Sequence, residues 1–421
     1  MKLDARKPQS QAKHFILENY LQRWARIISY GLRRIPASVQ RKPSFKIHFV
    51  YVDGFGYCGR YAGDEASILL SEPQKDIVYG SPIIGVSALD RIKRYTWEQY
   101  HIRIQVNAIV TEKIRDFYNE LLESFAMAGM GSRVQETNQF DTLNDEDIAV
   151  VNGDFHEIVD KALAYTRDPT FSFYFIDPYG PTGIPLDIVN AVITQKKTDT
   201  IINFPFLDFI RKTGVTKNKK LVENWTRVFN DNGKWRDIYN SHTDMFDDGE
   251  LARQKAEDAI SRYYARILED LDNNLVVKYE SLQFPDKERT IFYLFLTTRD
   301  PSGALALNEV IYQGKLKEVS LRWQYQYAQR VAKEGQLGFD FVRGDSSFQS
   351  DERAFVEEIA EKIYRKFQGQ KVQYGDVQRL LAEDVYFDGE IKRALTQLKK
   401  ASRAQYAGSI ESPKTAIAFL S

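Results

Sequence analysis

Apolar and polar positions recur along this chain with two periods, one helical and one extended. Between His14 and Ile28, the residues Phe15, Leu17, Tyr20, Leu21, Trp24, Ile27 and Ile28 recur at helical spacing. A basic loop with Pro36 and Pro43 follows, and then Ile47–Val52, a β-branched and aromatic run that predicts a buried strand. Further strands are predicted at Ile104–Val110, Ile148–Val151, Phe171–Ile176 and Thr200–Phe204. Helical segments separate them: Ile83–Leu89 behind Gly80-Ser81-Pro82, Ile114–Phe125, Ile158–Tyr165 and Pro185–Ile193. Strands alternating with helices predict an α/β fold whose mostly parallel sheet carries helices on both faces.

The pattern then turns polar from Leu207 to Gly249, with Trp225 and Trp235 as its anchors, and predicts an inserted lid or subdomain. A helix over Leu251–Leu271 leads to strands at Leu275–Tyr279 and Thr290–Thr297, an antiparallel closing pair turning at Pro285-Asp286. Another helix spans Glu309–Ala332. Gly335, Gly338, Gly344 and Ser346-Ser347 then mark a domain boundary. Beyond it lie three short amphipathic helices, Phe355–Phe367, Tyr374–Glu383 and Gly389–Lys399, and a terminal apolar stretch, Ala416–Leu420. That order predicts a winged-helix-like α+β domain over residues 351–421, after a Rossmann-like domain over residues 1–345 with its insert at 207–249.

Composition narrows the function. Lys+Arg and Asp+Glu are both 58, so no bulk charge draws the chain to nucleic acid or membrane. The basic runs Arg211–Lys220 and Lys392–Arg403 are local. A single cysteine, Cys58, excludes a disulfide framework and a multi-cysteine metal site, and five scattered histidines give no metal spacing. The start, Met1-Lys2-Leu3-Asp4-Ala5-Arg6, lacks the apolar core of a signal peptide, and no segment reaches membrane-spanning length. A cytoplasmic protein without membrane attachment is expected.

Four strand ends carry chemistry. Asp53-Gly54-Phe55-Gly56-Tyr57-Cys58-Gly59 follows the first strand. Its glycines let backbone approach a ligand, and a following helix would offer free N–H groups. Glu112, one residue past its strand, either accepts from the two hydroxyls of a ribose or caps a helix. At Asp154-Phe155 the carboxylate can accept from an exocyclic amine, and the ring either packs on a purine or belongs to the core. Asp177-Pro178-Tyr179-Gly180 ends the fourth strand. There an acid and a carbonyl can hold an NH₂ group, an aromatic can stack on the ring bearing it, and proline fixes the turn. Together they predict a cofactor site at Asp53, Phe55, Gly56, Gly59, Glu112, Asp154 and Phe155, and a reaction site at Asp177, Pro178 and Tyr179.

This order resembles a class I S-adenosylmethionine-dependent methyltransferase and, more narrowly, the three-Cys-motif partner protein family. The resemblance rests on Lys13-His14 with Tyr20-Leu21, Val52-Asp53-Gly54-Phe55, Gly59-Arg60-Tyr61, Gly80-Ser81-Pro82, Glu112, Gly153-Asp154, Phe175–Gly180 and Gly183. It continues through Leu294–Thr298 and Ser302-Gly303 to about residue 340. It implies S-adenosylmethionine as cofactor and a neighbouring radical-S-adenosylmethionine-like protein with three cysteines as partner. The resemblance supplies a fold and a cofactor class rather than a reaction. Joined to the amine-holding chemistry of Asp177, Pro178 and Tyr179, it leads to the expectation of methyl transfer to an amino nitrogen, with a nucleic-acid base as one candidate acceptor. The family pattern after the first strand runs Asp-x-Phe-Ala-Gly-Pro-Gly, whereas this chain has Tyr57 at the middle glycine. If that position needs φ > 0, tyrosine is strained there by roughly 1 kcal/mol unless Gly56 takes the bend. That substitution keeps a second expectation alive, a non-catalytic adaptor retaining the fold and acting with a partner protein.

Overall fold

The computed structural model describes residues 3–36, 38, 47–71, 77–207, 209, 219–244, 249–287, 289–334, 352–382, 384–410 and 412–420. Helix α1 (Pro8–Leu32) precedes strand β1 (His48–Asp53). Strand β2 (Arg60–Tyr61), helix α2 (Glu65–Leu69) and strand β3 (Val78–Tyr79) follow, with β2 and β3 antiparallel. The alternating part comprises α3 (Ser81–Tyr100), β4 (Gln105–Glu112), α4 (Arg115–Met127), β5 (Val134–Gln135) and β6 (Ile148–Asn152). It continues through α5 (Phe155–Tyr165), β7 (Phe171–Ile176), α6 (Leu186–Ile193) and β8 (Thr198–Phe204). Helices α7 (Lys219–Phe229), α8 (Lys234–Asp244) and α9 (Gly249–Glu269) lead to the hairpin of β9 (Val276–Gln283) and β10 (Thr290–Thr298). The long α10 (Pro301–Glu334) comes next.

Among the described residues one eight-stranded sheet runs in the order β5-β6-β4-β1-β7-β8-β10-β9. Strands β5, β6, β4, β1, β7 and β8 are mutually parallel, and β10 is antiparallel to both β8 and β9. Successive crossovers step outward from β1 through β4 and β6, then return to its other side at β7. The order therefore reverses between β1 and β7, and the carboxyl ends of those strands frame a crevice of the kind that holds ligands in open α/β sheets.

Side-chain alternation explains why the sheet is covered twice. Phe49 and Tyr51 of β1, with Phe173 and Phe175 of β7, join α1, α3 and α4 in one core. Val50 and Val52, with Tyr174 and Ile176, join α5, α6 and the α7–α9 region in the other. The stretch read as a polar insert sends its apolar side chains into this second core. Trp225 and Trp235 are fully buried, and Phe204 meets Trp225, Phe229 and Tyr264 at ring-centroid distances of 5.6, 5.9 and 4.8 Å. Two helical periods of isolated aromatics, set among charged residues, account for the polar appearance of the segment.

Some expected boundaries shift. Helix α3 runs to Tyr100 instead of stopping at Leu89, because its last turns expose Arg91, Arg94, Trp97 and Glu98 while still burying Ile92 and Thr96. Glu112 is the last residue of β4 rather than one beyond it. The glycines at 335, 338 and 344, the serines at 346 and 347, Pro43, and residues 211–218 of the basic run lie outside the described residues.

The last segment comprises α11 (Glu352–Phe367), β11 (Lys371–Gln373), α12 (Tyr374–Leu381), α13 (Asp388–Lys400), β12 (Ala404–Gln405) and β13 (Ala416–Phe419). Its strands form a small antiparallel sheet, β11-β13-β12, over a core that includes Ile359, Ile363, Val377, Leu381, Ile391 and Leu395. Leu305 of α10 enters that core, and the Asn308 side-chain amide donates to the carbonyls of Asp384 and Tyr386 at 2.7 and 2.9 Å. No helix among the described residues is long and apolar enough to cross a membrane, and none of their His, Cys, Asp and Glu side chains cluster to hold a metal ion.

Candidate functional site

Two clefts open at the carboxyl edge of the sheet and adjoin across Phe55, Pro178 and Tyr179. The first, about 540 Å³, is lined by the β1 loop, the start of α3, the tip of β7 and the chain around Asp4–Lys13. The second, about 450 Å³, lies between Glu112, Asp154 and the Pro178–Gly183 turn, with Arg227 of α7 at its side. Both lie within the range of small-molecule sites. The predicted residues are thus brought to one edge but divided. Phe55, Gly56, Gly59, Asp177, Pro178 and Tyr179 line the first cleft, while Glu112, Asp154 and Phe155 line the second with Phe55, Pro178 and Tyr179.

In the first cleft, Asp177 is bound from two sides. The Lys13 ammonium forms an ion pair with Oδ2, and the Asn203 side-chain amide donates to Oδ1 at 2.6 Å. Lys13 comes from α1 and also stands over the Phe292 ring at 5.2 Å from its centroid. Asn203, on β8 beside the tip of β7, is buried and keeps its Oδ1 unpartnered. An amide oxygen buried without a donor is costly, and this one stands beside a carboxylate already holding an ammonium. The seat is therefore chemically suited to N–H donors.

Behind it lies Asp53, fully buried, accepting from the Phe55 N–H and the Tyr51 hydroxyl at 3.1 Å each. Burial pushes its carboxyl up to about 6, against the hydrogen bonds from Ser81 and Phe55, and the nearby Asp177 charge adds to the rise. His14, next to Lys13, is buried with Nδ1 unpartnered. Burial first, then the Lys13 and Arg6 charges, hold it well below the usual histidine range, so it is neutral.

The β1 loop differs from the expected cradle. No helix follows it; the chain turns at Tyr57–Gly59 and enters β2. The N–H groups of Gly54, Phe55, Gly56, Tyr57 and Gly59 are all used internally, by Phe175 O, Asp53 Oδ1, Thr111 O, Glu112 Oε2 and Gly56 O. The left-handed positions are Tyr57 (φ 50°) and Gly59 (φ 68°), so Gly56 does not absorb the bend. Gly56 is needed for packing instead, since a Cβ there would lie 2.6 Å from Val110 Cγ1. Tyr57 is held by its surroundings: its hydroxyl donates to Asp4 at 2.7 Å, and its ring meets Phe117 and Tyr179 edge-on at 4.6 and 5.8 Å.

Glu112 stands at the second cleft with one N–H on each oxygen, Tyr57 at 2.8 Å and Ile114 at 2.7 Å. Burial raises its carboxyl above the ordinary glutamate value, opposed by those N–H groups. The Lys113 N–H donates to the carboxylate as well, so three of about four acceptor positions are taken and the residue can tie the loop and still accept one ribose hydroxyl. Asp154 caps α5 by accepting from His156 N–H at 3.1 Å and pairs with Lys113 at 2.7 Å. Phe155, 1% exposed, packs on Phe55 and over Gly54 while it lines the second cleft. Tyr179, 70% exposed, offers a free ring face. The sequence reading singled out neither Lys13 nor Asn203 as a site residue. Lys13 sits 164 positions from Asp177, and Asn203 is hidden within an apolar strand run.

No protein-family model matches the chain, and no curated protein matches it. Among solved structures it is similar to protein LPL1258 from Legionella pneumophila str. Philadelphia 1, described under the family DUF519. That similarity has 14% identity and a TM-score of 0.31, covering 72% of this chain and 93% of the other. At that level it carries no argument about function.

Proposed function

We propose that this chain is an S-adenosylmethionine-dependent N-methyltransferase of the class I fold, acting on an amino group that can be that of a nucleobase. The observation that carries the reading is the amine seat at the sheet's switch point, where Asn203 donates to Asp177 through Nδ2 and keeps Oδ1 unpartnered, near an exposed Tyr179. The sheet order supports it. Parallel strands β6-β4-β1-β7-β8 follow a doubly wound order, closed by the reversed β10 and its partner β9 as the methyltransferase resemblance implies. The helix–strand–helix–helix–strand–strand order of the last segment supports a winged-helix-like module in the same way.

The residues fit the adenosine half of the cofactor, with Glu112 facing the ribose and Asp154 the base across the 450 Å³ cleft. They fit the amino-acid half differently from a glycine loop. Because the N–H groups of Gly54, Phe55, Gly56, Tyr57 and Gly59 are used and the Ser81 side chain is engaged with Asp53, the carboxylate falls to Lys7 and Ser10 around the neighbouring cleft. When bound, the cofactor supplies an electrophilic methyl on a sulfonium. The chain's own work is positional. Asp177, the Pro178 carbonyl and Asn203 hold the amine by its N–H groups so that its lone pair faces the donor, and Tyr179 stacks on the acceptor ring. An ordinary acceptor must displace Lys13 from Asp177 or share that carboxylate with it.

One observation favours the adaptor reading. Tyr57 lies left-handed in the loop, with its ring against Tyr179, at the wall of the first cleft. In that reading the chain works with a partner, which the family resemblance implies is a three-cysteine radical-S-adenosylmethionine-like protein. Calorimetry with S-adenosylmethionine and S-adenosylhomocysteine decides. Binding below about millimolar Kd, weakened by about 1–3 kcal/mol in Glu112→Ala, is expected. No heat at millimolar ligand would leave the adaptor.

A further inference from the structure

Away from the carboxyl edge, a groove of about 690 Å³ runs between the C-terminal half of α1, the end of α3, the start of α10 and the last segment. Its α1–α3 wall presents Arg26, Tyr30, Arg34, Tyr95 and Tyr100. The acids of the groove are already engaged. Glu309 accepts both terminal nitrogens of Arg23 at 2.6 Å each. Asp388 accepts from the Tyr374 hydroxyl at 2.6 Å and pairs with Lys392 at 2.7 Å. Asp300 caps α10, accepting from the Ser302 and Gly303 N–H groups at 2.8 and 3.1 Å.

Two of the groove's arginines are not matched. Arg26 and Arg34 are exposed, and among the described residues neither forms an ion pair with a carboxylate. Arg26 instead lies over the Tyr95 ring at 5.4 Å from its centroid, and Arg33 over the Tyr30 ring at 3.6 Å. Tyr95 in turn meets Tyr100 edge-on at 5.9 Å. The wall therefore sets the Arg26 guanidinium on the half-buried Tyr95 ring and leaves a second free positive charge, Arg34, further along it. Flat cations on aromatics receive unpaired bases by stacking, and unpaired guanidinium groups neutralise phosphates. Duplex bases, already stacked and paired, cannot use the rings. An acidic peptide could use the charges but would gain nothing from Tyr95 or Tyr100.

We infer that this groove binds single-stranded nucleic acid, through phosphate contacts to Arg26 and Arg34 and base stacking on Tyr95 and its neighbours. The site is separate from the cofactor clefts and stands whether or not the chain transfers methyl groups. The test is fluorescence anisotropy of the full chain with labelled oligothymidylate and oligouridylate of about twelve nucleotides. A blunt duplex and polyglutamate serve as controls. Single strands are expected to bind well ahead of duplex, with affinity falling steeply as salt rises; the two arms report whether deoxyribose or ribose is preferred. The double variant Arg26→Glu/Arg34→Glu should weaken binding at least about tenfold and flatten the log–log salt slope by roughly 1.4. Tyr95→Ala should weaken it roughly tenfold, and Tyr95→Phe should restore it. Arg26 and Arg34 are exposed and Tyr95 is half-buried, and circular dichroism checks the fold of each variant. The inference is overturned by duplex binding equal to single strand, by polyglutamate competing as well as oligonucleotide, by indifference to these substitutions, or by no binding at 50 mM salt.

Discussion

Replacing Lys13 with methionine should destabilise the protein by about 2 kcal/mol, and the size follows from the surroundings of the pair. The Lys13 and Asp177 side chains are 9% and 18% exposed. Removing one partner of a fully buried pair costs about 3–5 kcal/mol, because the other charge stays behind uncompensated. Here Asp177 keeps the Asn203 N–H at 2.6 Å and some access to water, which brings the cost below that range. Methionine preserves the unbranched stem, so packing along α1 changes little. Asp177→Asn should cost a similar amount, since the ammonium would keep only a neutral amide oxygen and the Phe292 ring at 5.2 Å in place of its counter-charge. The double variant should cost clearly less than the sum, with a coupling energy of about 1.5–3 kcal/mol, since it strands neither charge. Urea denaturation followed by circular dichroism, compared at matched m-values, measures all three. A cost below about 0.5 kcal/mol for Lys13→Met, with coupling near zero, would refute the ion pair as a structural tie. The same cycle separates a folding defect from a catalytic one whenever Asp177 variants lose turnover.

Tyr57→Gly should relieve the left-handed strain, worth roughly 1 kcal/mol, but lose the ring contacts to Phe117 and Tyr179 and the Asp4 hydrogen bond. Net stability should fall slightly in thermal melts, while S-adenosylmethionine affinity by calorimetry rises if the ring obstructs the clefts; unchanged affinity would clear Tyr57 of that role. Asp199, which accepts from the Tyr20 hydroxyl at 2.6 Å, is pushed by burial from 3.8 to about 7. A raised carboxyl contributes stability that is complete below 3.8 and lost as pH rises through about 7. Wild type should therefore lose up to about 1.4 kcal/mol per pH unit across that window from this group, and Asp199→Asn should remove that slope. Parallel curves for the two proteins would contradict it.

Much of the sheet was readable because buried parallel strands are continuous apolar runs. Phe171–Ile176 and Ile148–Val151 stand out whatever their neighbours do, and the acids at their ends mark the edge. The occupancy of those acids was not readable. Asn203 follows Ile201 and Ile202 and looks like strand filler; only pairing of β8 beside β7 sets its amide against Asp177. Lys13 reads as one more charge on an amphipathic helix until α1 packs across the cleft. The bend at Tyr57 was hidden for a related reason. Local preference puts a positive φ on glycine, but Glu112 draws in the Tyr57 N–H and Val110 crowds Gly56, so long-range closure decides.

The Lys13–Asp177 pair also changes what the cleft can choose. Because the two groups share one chain, the ammonium meets its carboxylate at an effective concentration set by a packed helix, not by solution. Even short flexible tethers give about millimolar values, and α1, held in the core along its length, scatters less than those. A free amine offering a single ionic contact is a poor rival for such a resident. Under the proposed function, an acceptor that also stacked on Tyr179 and donated to Asn203 would bring the extra free energy needed to take the seat. Discrimination among amines would then come from competition with an internal ligand, and a generic carboxylate would become selective without any change in the shape of the cleft.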